Sequence, residues 1–146
     1  MTFTQQQGDL FELADEYYLA HCISSDFAMG RGVAVEFVKR YDMKSKLKAR
    51  FPLGAVNERG EWLNICIVEG RVFNLITKQK YWQKPTYSTL EGAVLDMRDQ
   101  AVRLGITKIA MPKIGCGLDR LSWEKVSEII KNAFMDTDIE IAVRYL

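Results

Sequence analysis

An α/β sandwich built on a mixed sheet is the fold class this sequence predicts, from three observations. Short apolar runs of strand length alternate with longer stretches whose apolar residues recur at helical spacing. Two neighbouring apolar runs, 62–68 and 72–77, are separated only by Glu69-Gly70-Arg71, which fits a hairpin and makes one strand pair antiparallel. The stretch 111–120, Met-Pro-Lys-Ile-Gly-Cys-Gly-Leu-Asp-Arg, joins an apolar strand to an amphipathic helix through a loop suited to close backbone approach. A length of 146 residues fits one domain, 1–146, that can bury a core without disulfide or metal staples.

In chain order, residues 2–6 read as a short strand broken by Gly8-Asp9-Leu10. Asp9 either points into a crevice at the strand's end or closes an Asx turn. Glu12, Asp15 and Glu16 form a solvated acidic face before the strand 17–23. That strand holds the only histidine, His21; with no second ligand at metal-binding spacing, it reads as a hydrogen-bonded structural residue. A loop with Gly30-Arg31-Gly32 then leads into a helical pattern through Val33, Phe37 and Val38 to Tyr41. The basic run Lys39, Arg40, Lys44, Lys46, Lys48 and Arg50 reads as a solvated helix face, with a docking patch for a phosphate-rich macromolecule as the alternative.

The second hairpin strand ends in Lys78-Gln79-Lys80. Lys78 is either an exposed gatekeeper or an amine that enters a crevice at the sheet's edge. Tyr81-Trp82-Gln83-Lys84-Pro85 covers the rim of the core or, alternatively, stacks on a base. Ser88 and Glu91 have capping-box spacing for a helix with the stripe Leu90, Val94, Met97, Ala101 and Leu104, stopped by Gly105. The strand 107–111 ends at Pro112, and Ser122 can cap a helix with the stripe Trp123, Val126, Ile129, Ile130, Ala133 and Phe134. Residues 139–146 alternate cleanly and predict a closing, half-exposed strand.

Charge and cysteine usage exclude several classes. Twenty basic against nineteen acidic groups give a formal charge of +1, which argues against coating nucleic acid by bulk electrostatics. The three cysteines, Cys22, Cys66 and Cys116, match neither a disulfide framework nor paired zinc ligands and suit a reducing compartment. No signal-peptide pattern opens the sequence and no window reaches membrane-spanning length, so the expectation is a cytoplasmic protein, or a nuclear one if the host has a nucleus. In 111–120, Gly115 and Gly117 let backbone N–H groups converge on an anion ahead of a helix start, unless they merely form a tight turn. Asp119 stands where open α/β sheets place their chemistry, or else serves as a helix N-cap.

Together, Gly8-Asp9-Leu10-Phe11, Ala20-His21-Cys22-Ile23-Ser24, Gly30-Arg31-Gly32-Val33-Ala34, Leu75-Ile76-Thr77-Lys78, Lys84-Pro85-Thr86-Tyr87 and 111–123 resemble the macrodomain family, nearest the terminal ADP-ribose protein glycohydrolase branch. The resemblance runs from Gly8 to Leu146 and is least in 52–69. It implies a three-layer α/β/α sandwich with a central, mixed, mostly parallel six-stranded sheet, and an ADP-ribose cleft across the C-terminal strand ends. By that resemblance Asp9 would accept from the adenine amine, with Leu10 beside the ring, and Ser24 would line the ligand. Gly30, Gly32 and Val33 would face the pyrophosphate and distal ribose. Lys113, Ile114, Gly115, Cys116, Gly117 and Leu118 would form the opposite wall, and Leu146 would close the adenosine end. Lys78 and Asp119 would be the catalytic pair. Another macrodomain pattern carries a water-activating aspartate after the glycine-valine of the first loop; here Ala34 stands there, which leaves Lys78 as the nucleophile.

The chemistry expected of that pair is attack by the lysine amine on the anomeric carbon of the distal ribose, or on its ring-opened aldehyde. Asp119 then acts as base to resolve the adduct. The predicted activity is removal of ADP-ribose from ADP-ribosylated protein at acidic side chains, together with O-acetyl-ADP-ribose deacylation. A non-catalytic ADP-ribose reader and a glycohydrolase of ADP-ribosylated DNA are the alternatives. Neither a cofactor nor a metal is expected beyond ADP-ribose as ligand or product, no membrane partner is expected, and the chain is expected to act as a monomer.

Overall fold

A computed structural model describes residues 1–146. The strands are β1 (Thr2–Gln7), β2 (Tyr18–Ser24), β3 (Cys66–Glu69), β4 (Val72–Lys78), β5 (Lys108–Met111) and β6 (Glu140–Tyr145). They form one sheet in the order β1-β6-β5-β2-β4-β3, parallel throughout except where β3 meets β4. The helices are α1 (Val33–Tyr41), α2 (Met43–Arg50), α3 (Tyr87–Leu104) and α4 (Trp123–Phe134), with a 3-10 turn at Leu10–Leu13.

Each face of the sheet carries its own apolar layer, so the molecule is the expected three-layer α/β/α sandwich. One layer packs Phe73, Leu75, Ile109 and Ile141 against Leu90, Met97, Val126 and Ile130 of α3 and α4. The other packs Leu19, Ile23, Val72 and Ile76 against Phe37, Met43 and Leu47 of α1 and α2. Strand alternation divides the side chains between the layers. His21 is fully buried in the sheet, its Nε2 lying 2.6 Å from Asn74 Oδ1, which agrees with a structural histidine. No helix is long and apolar enough to cross a membrane.

Several local expectations are corrected. β6 is not half-exposed: it lies between β1 and β5, and Ile141, Ala142 and Val143 are consecutively buried. The basic run is broken at Asp42, whose φ of 52° lies in the left-handed region, so the chain turns between two helices and buries Met43 and Leu47. Residues 62–65 stand outside β3, with Trp62 making only an isolated bridge to Val56. The α3 capping box is Thr86 with Thr89, not Ser88 with Glu91. Ser122 is the N-cap residue of α4 but makes no side-chain cap bond.

Register places the site. β2 and β5 pair only at Tyr18–Ile109 and Leu19–Ala110, while β2 runs on to Ser24 alongside β4. Beyond that pairing, the chain leaves β2 for α1 on one face and leaves β5 for α4 on the other. Diverging loops at the C-terminal edge of parallel strands leave a crevice, the usual ligand position in such sheets.

Candidate active site

Three loops meet at that edge. The first follows β2 and is fixed by Asp26, whose carboxylate accepts from the Ser24 hydroxyl, from Ala28 N at 3.2 Å and from Tyr81 N at 3.2 Å. Lys44 Nζ donates to Ala28 O at 3.2 Å, giving one residue of the basic run a bracing task. Phe27 and Met29 have φ of 55° and 50° and remain there because their side chains are buried. Gly32 has φ 62° and ψ −149°, a region open essentially to glycine, and directly precedes α1.

The loop after β5 forms the facing side. It is held by its own turns, Cys116 N to Lys113 O at 3.3 Å, Arg120 N to Gly117 O at 3.2 Å and Leu121 N to Gly115 O at 2.8 Å. Gly115 has φ 74°, and a Cβ there would lie 3.2 Å from Leu121 Cδ1. Two residues from the third loop and α3 secure it from outside: Lys84 Nζ donates to Leu118 O at 2.6 Å, and Tyr87 Oη accepts from Ser122 N at 2.9 Å.

The catalytic candidates meet between these loops. Lys78 Nζ donates to Asp119 Oδ1 at 2.7 Å, with the two side chains 15% and 17% exposed, so the pair is shielded yet reachable. Asp119 therefore does not cap α4. A β-bulge lies at the same point of β4: Ile23 faces Ile76, but Ser24 faces Lys78, leaving Thr77 as an extra residue. Thr77 and Lys78, adjacent at that irregularity, both line one cleft. The nearby thiols are held protonated. Burial pushes Cys22 well up, and burial also raises Cys116 to about 11 against the lowering effect of the Lys113 ammonium.

The other expected ligand residues occupy varied positions. Asp9 Oδ1 accepts from Phe11 N at 3.0 Å, capping the 3-10 turn, which leaves its second oxygen open. Leu10 and Ile114 have side chains in the apolar layers, so each can offer a ligand chiefly its backbone. Ser24 is buried, and its hydroxyl is committed to Asp26. Gly30 and Gly32 are exposed at the first loop, with Val33 half-buried at the start of α1. Lys113 Nζ sits 4.2 Å from the centroid of the Tyr145 ring. Gly117 and Leu118 are exposed, Cys116 is half-buried, and Leu146 extends into solvent. Sequence reasoning missed Asp26, Thr77 and Lys84; only Asp26, following two serines at a strand end, carried a turn signal that could have found it.

Comparison with known proteins agrees with this architecture. A family model for the Macro domain matches residues 66–130. The chain is 41% identical over 141 residues to the human ADP-ribose glycohydrolase OARD1, covering 96% of this chain and 89% of that protein. It therefore belongs to the macrodomain family. It is also 27% identical to a DNA ADP-ribosyl glycohydrolase of Mycobacterium tuberculosis, over 97% of this chain and 41% of that protein. Among solved structures, the macrodomain of Mycobacterium tuberculosis DarG superposes with a TM-score of 0.82 at 24% identity, covering 99% of this chain and 97% of the other, a likeness of fold.

Proposed function

We propose that this protein is an ADP-ribosyl hydrolase that releases ADP-ribose from modified acidic side chains, and by the same chemistry deacylates O-acetyl-ADP-ribose. The observation that carries the reading is the 2.7 Å Lys78–Asp119 contact where two glycine-bearing loops diverge. Support comes from the 41% identity to a protein named as an ADP-ribose glycohydrolase.

In this mechanism the loops after β2 and β5 hold the pyrophosphate, using backbone N–H groups at the starts of helices. Binding across the crevice brings the anomeric carbon of the distal ribose to Lys78. Lys78 attacks as the unprotonated amine, its ammonium proton passing to solvent, which leaves the Asp119 carboxylate available as base for the second step. The amine then forms a C–N bond to the anomeric carbon as the C–O bond to the acceptor breaks, and the acceptor departs as a carboxylate. Asp119 then takes a proton from water, whose oxygen adds to the same carbon as the C–N bond breaks, and returns that proton to the departing amine, restoring the starting pair. Two displacements at one carbon follow the logic of retaining glycoside hydrolysis.

The test is release of free ADP-ribose from a glutamate-linked substrate. Lys78→Ala should lower turnover by about 10³-fold or more while ADP-ribose affinity, measured by calorimetry, stays near that of the parent protein. Tight binding with no release by the unaltered protein would instead identify a reader. A second reading, action on ADP-ribosylated DNA, is favoured by the likeness to the mycobacterial enzyme and by exposed Tyr81 and Trp82 beside Lys80 and Lys84. Faster release from a base-linked than from a glutamate-linked substrate would select it.

A further inference from the structure

A polar cleft of about 360 Å³ opens beside Lys78, lined by Trp62, Thr77, Gln79, Gln83, Lys84, Thr86 and Thr89. We propose that it receives the departing carboxylate of the modified acidic side chain; this rests on the hydrolase reading above and assigns its leaving-group site.

Thr77 is the first observation. It is the bulge residue, 1% exposed, and its hydroxyl has no oxygen or nitrogen partner. The Cys22 thiol adjoins it, and its hydrogen bond with the hydroxyl is at most weak and leaves the oxygen short of a full partner. A buried hydroxyl left poorly paired in the free protein is unfavourable, and a ligand oxygen in the cleft would satisfy it.

Charge is the second. The cleft contains the Lys84 ammonium and, at its edge, Lys78, whose nitrogen becomes cationic as its bond to the anomeric carbon forms, and it has no carboxylate of its own. The N-terminus of the 18-residue helix α3 opens onto it at Thr86. The Thr86 and Thr89 hydroxyls satisfy one another's backbone groups in the capping box. The next N–H groups of the first turn have no acceptor within the helix, so the end of the dipole favours an anion. Negative charge builds on the acceptor oxygen as its bond to the anomeric carbon breaks, and fixed donors pointing at it lower that barrier.

The shape of the cleft is held by Asn64, whose Nδ2 donates to Ile76 O at 2.9 Å and to Thr89 O at 2.7 Å, tying the strand just before the bulge to the first turn of α3. Gly92 leaves room for that side chain, because a Cβ there would overlap Asn64 Oδ1.

The experiment compares Thr77→Val and Lys84→Gln with the parent protein on glutamate-linked and base-linked ADP-ribose, alongside calorimetric ADP-ribose affinity and thermal melting. Each variant should release ADP-ribose from glutamate about tenfold more slowly, with affinity within about twofold. Thr77→Val should melt at the same or a higher temperature, since it removes a poorly paired hydroxyl; a purely structural residue would lose stability and rate together. Parent-like rates for both variants overturn the proposal. Slowing confined to the base-linked substrate also overturns it and gives the cleft to a nucleobase. If the parent protein releases nothing from glutamate, the hydrolase reading fails first and this assignment falls with it, an outcome distinct from parent-like variants.

Discussion

The two loops flanking Lys78 and Asp119 are built by opposite means. The loop after β2 is clamped: Asp26 collects three donors, Lys44 reaches across from α2, and buried Phe27 and Met29 hold a backbone that would otherwise relax. The loop after β5 is anchored at its ends by buried Ile114 and by the Tyr87–Ser122 bond, but between them it makes its own tight turns, exposes Leu118, and is attached only through Lys84 and the Lys78–Asp119 pair. One is a fixed wall whose strain is balanced by burial, and the other carries the reacting carboxylate on a lightly tethered turn. Pre-organisation on one side with adjustment on the other suits a site that must both grip a diphosphate and reposition a base during turnover.

That contrast can be broken by substitution. Phe27→Ala should destabilise the fold by about 3–5 kcal/mol in urea unfolding and weaken ADP-ribose binding, because the buried anchor of the fixed wall is lost. A stability change below ~1 kcal/mol would mean that the wall is not held by burial.

His21, behind the first loop, sharpens the comparison through pH. Burial lowers its folded pKa to about 4, outweighing the raising effect of its Asn74 partner. The unfolded chain titrates near 6.5, so between these values the unfolded state binds more protons. Stability should therefore fall as pH drops from about 6.5 to about 4, by roughly 3 kcal/mol, and flatten below that. His21→Asn should remove this part of the profile; an unchanged slope would assign the acid sensitivity elsewhere. The smallest effect is expected in the tethered loop, where Leu118→Ala should shift stability by no more than about 0.5 kcal/mol. A large loss there would erase the distinction between the loops.

The layered fold was legible because helical and strand periodicities are local properties. The sandwiched position of β6 was not, since Glu140 and Arg144 give a partly buried central strand the look of an edge-facing one. The helix-to-helix turn at Asp42 was hidden by surrounding lysines that mask the apolar anchors Met43 and Leu47. At the site, the strand end marked Lys78 and the glycine loop marked Asp119. Their meeting joins positions 41 residues apart, and the bulge at Thr77 beside it is set by register with β2, so neither has a local signature. The poorly paired Thr77 hydroxyl and the Lys84 tether follow from the same register and are equally hidden.

The central claim is that Lys78 forms a covalent bond with the distal ribose and that Asp119 is needed to resolve it. Intact-protein mass spectrometry of Asp119→Ala, after incubation with a glutamate-linked ADP-ribose substrate, tests it most directly. The expected result is a stable mass increase that maps to Lys78 and disappears in the Lys78→Ala, Asp119→Ala double variant. Asp119→Ala turning over at the parent rate with no adduct, or an adduct that persists without Lys78, would contradict it.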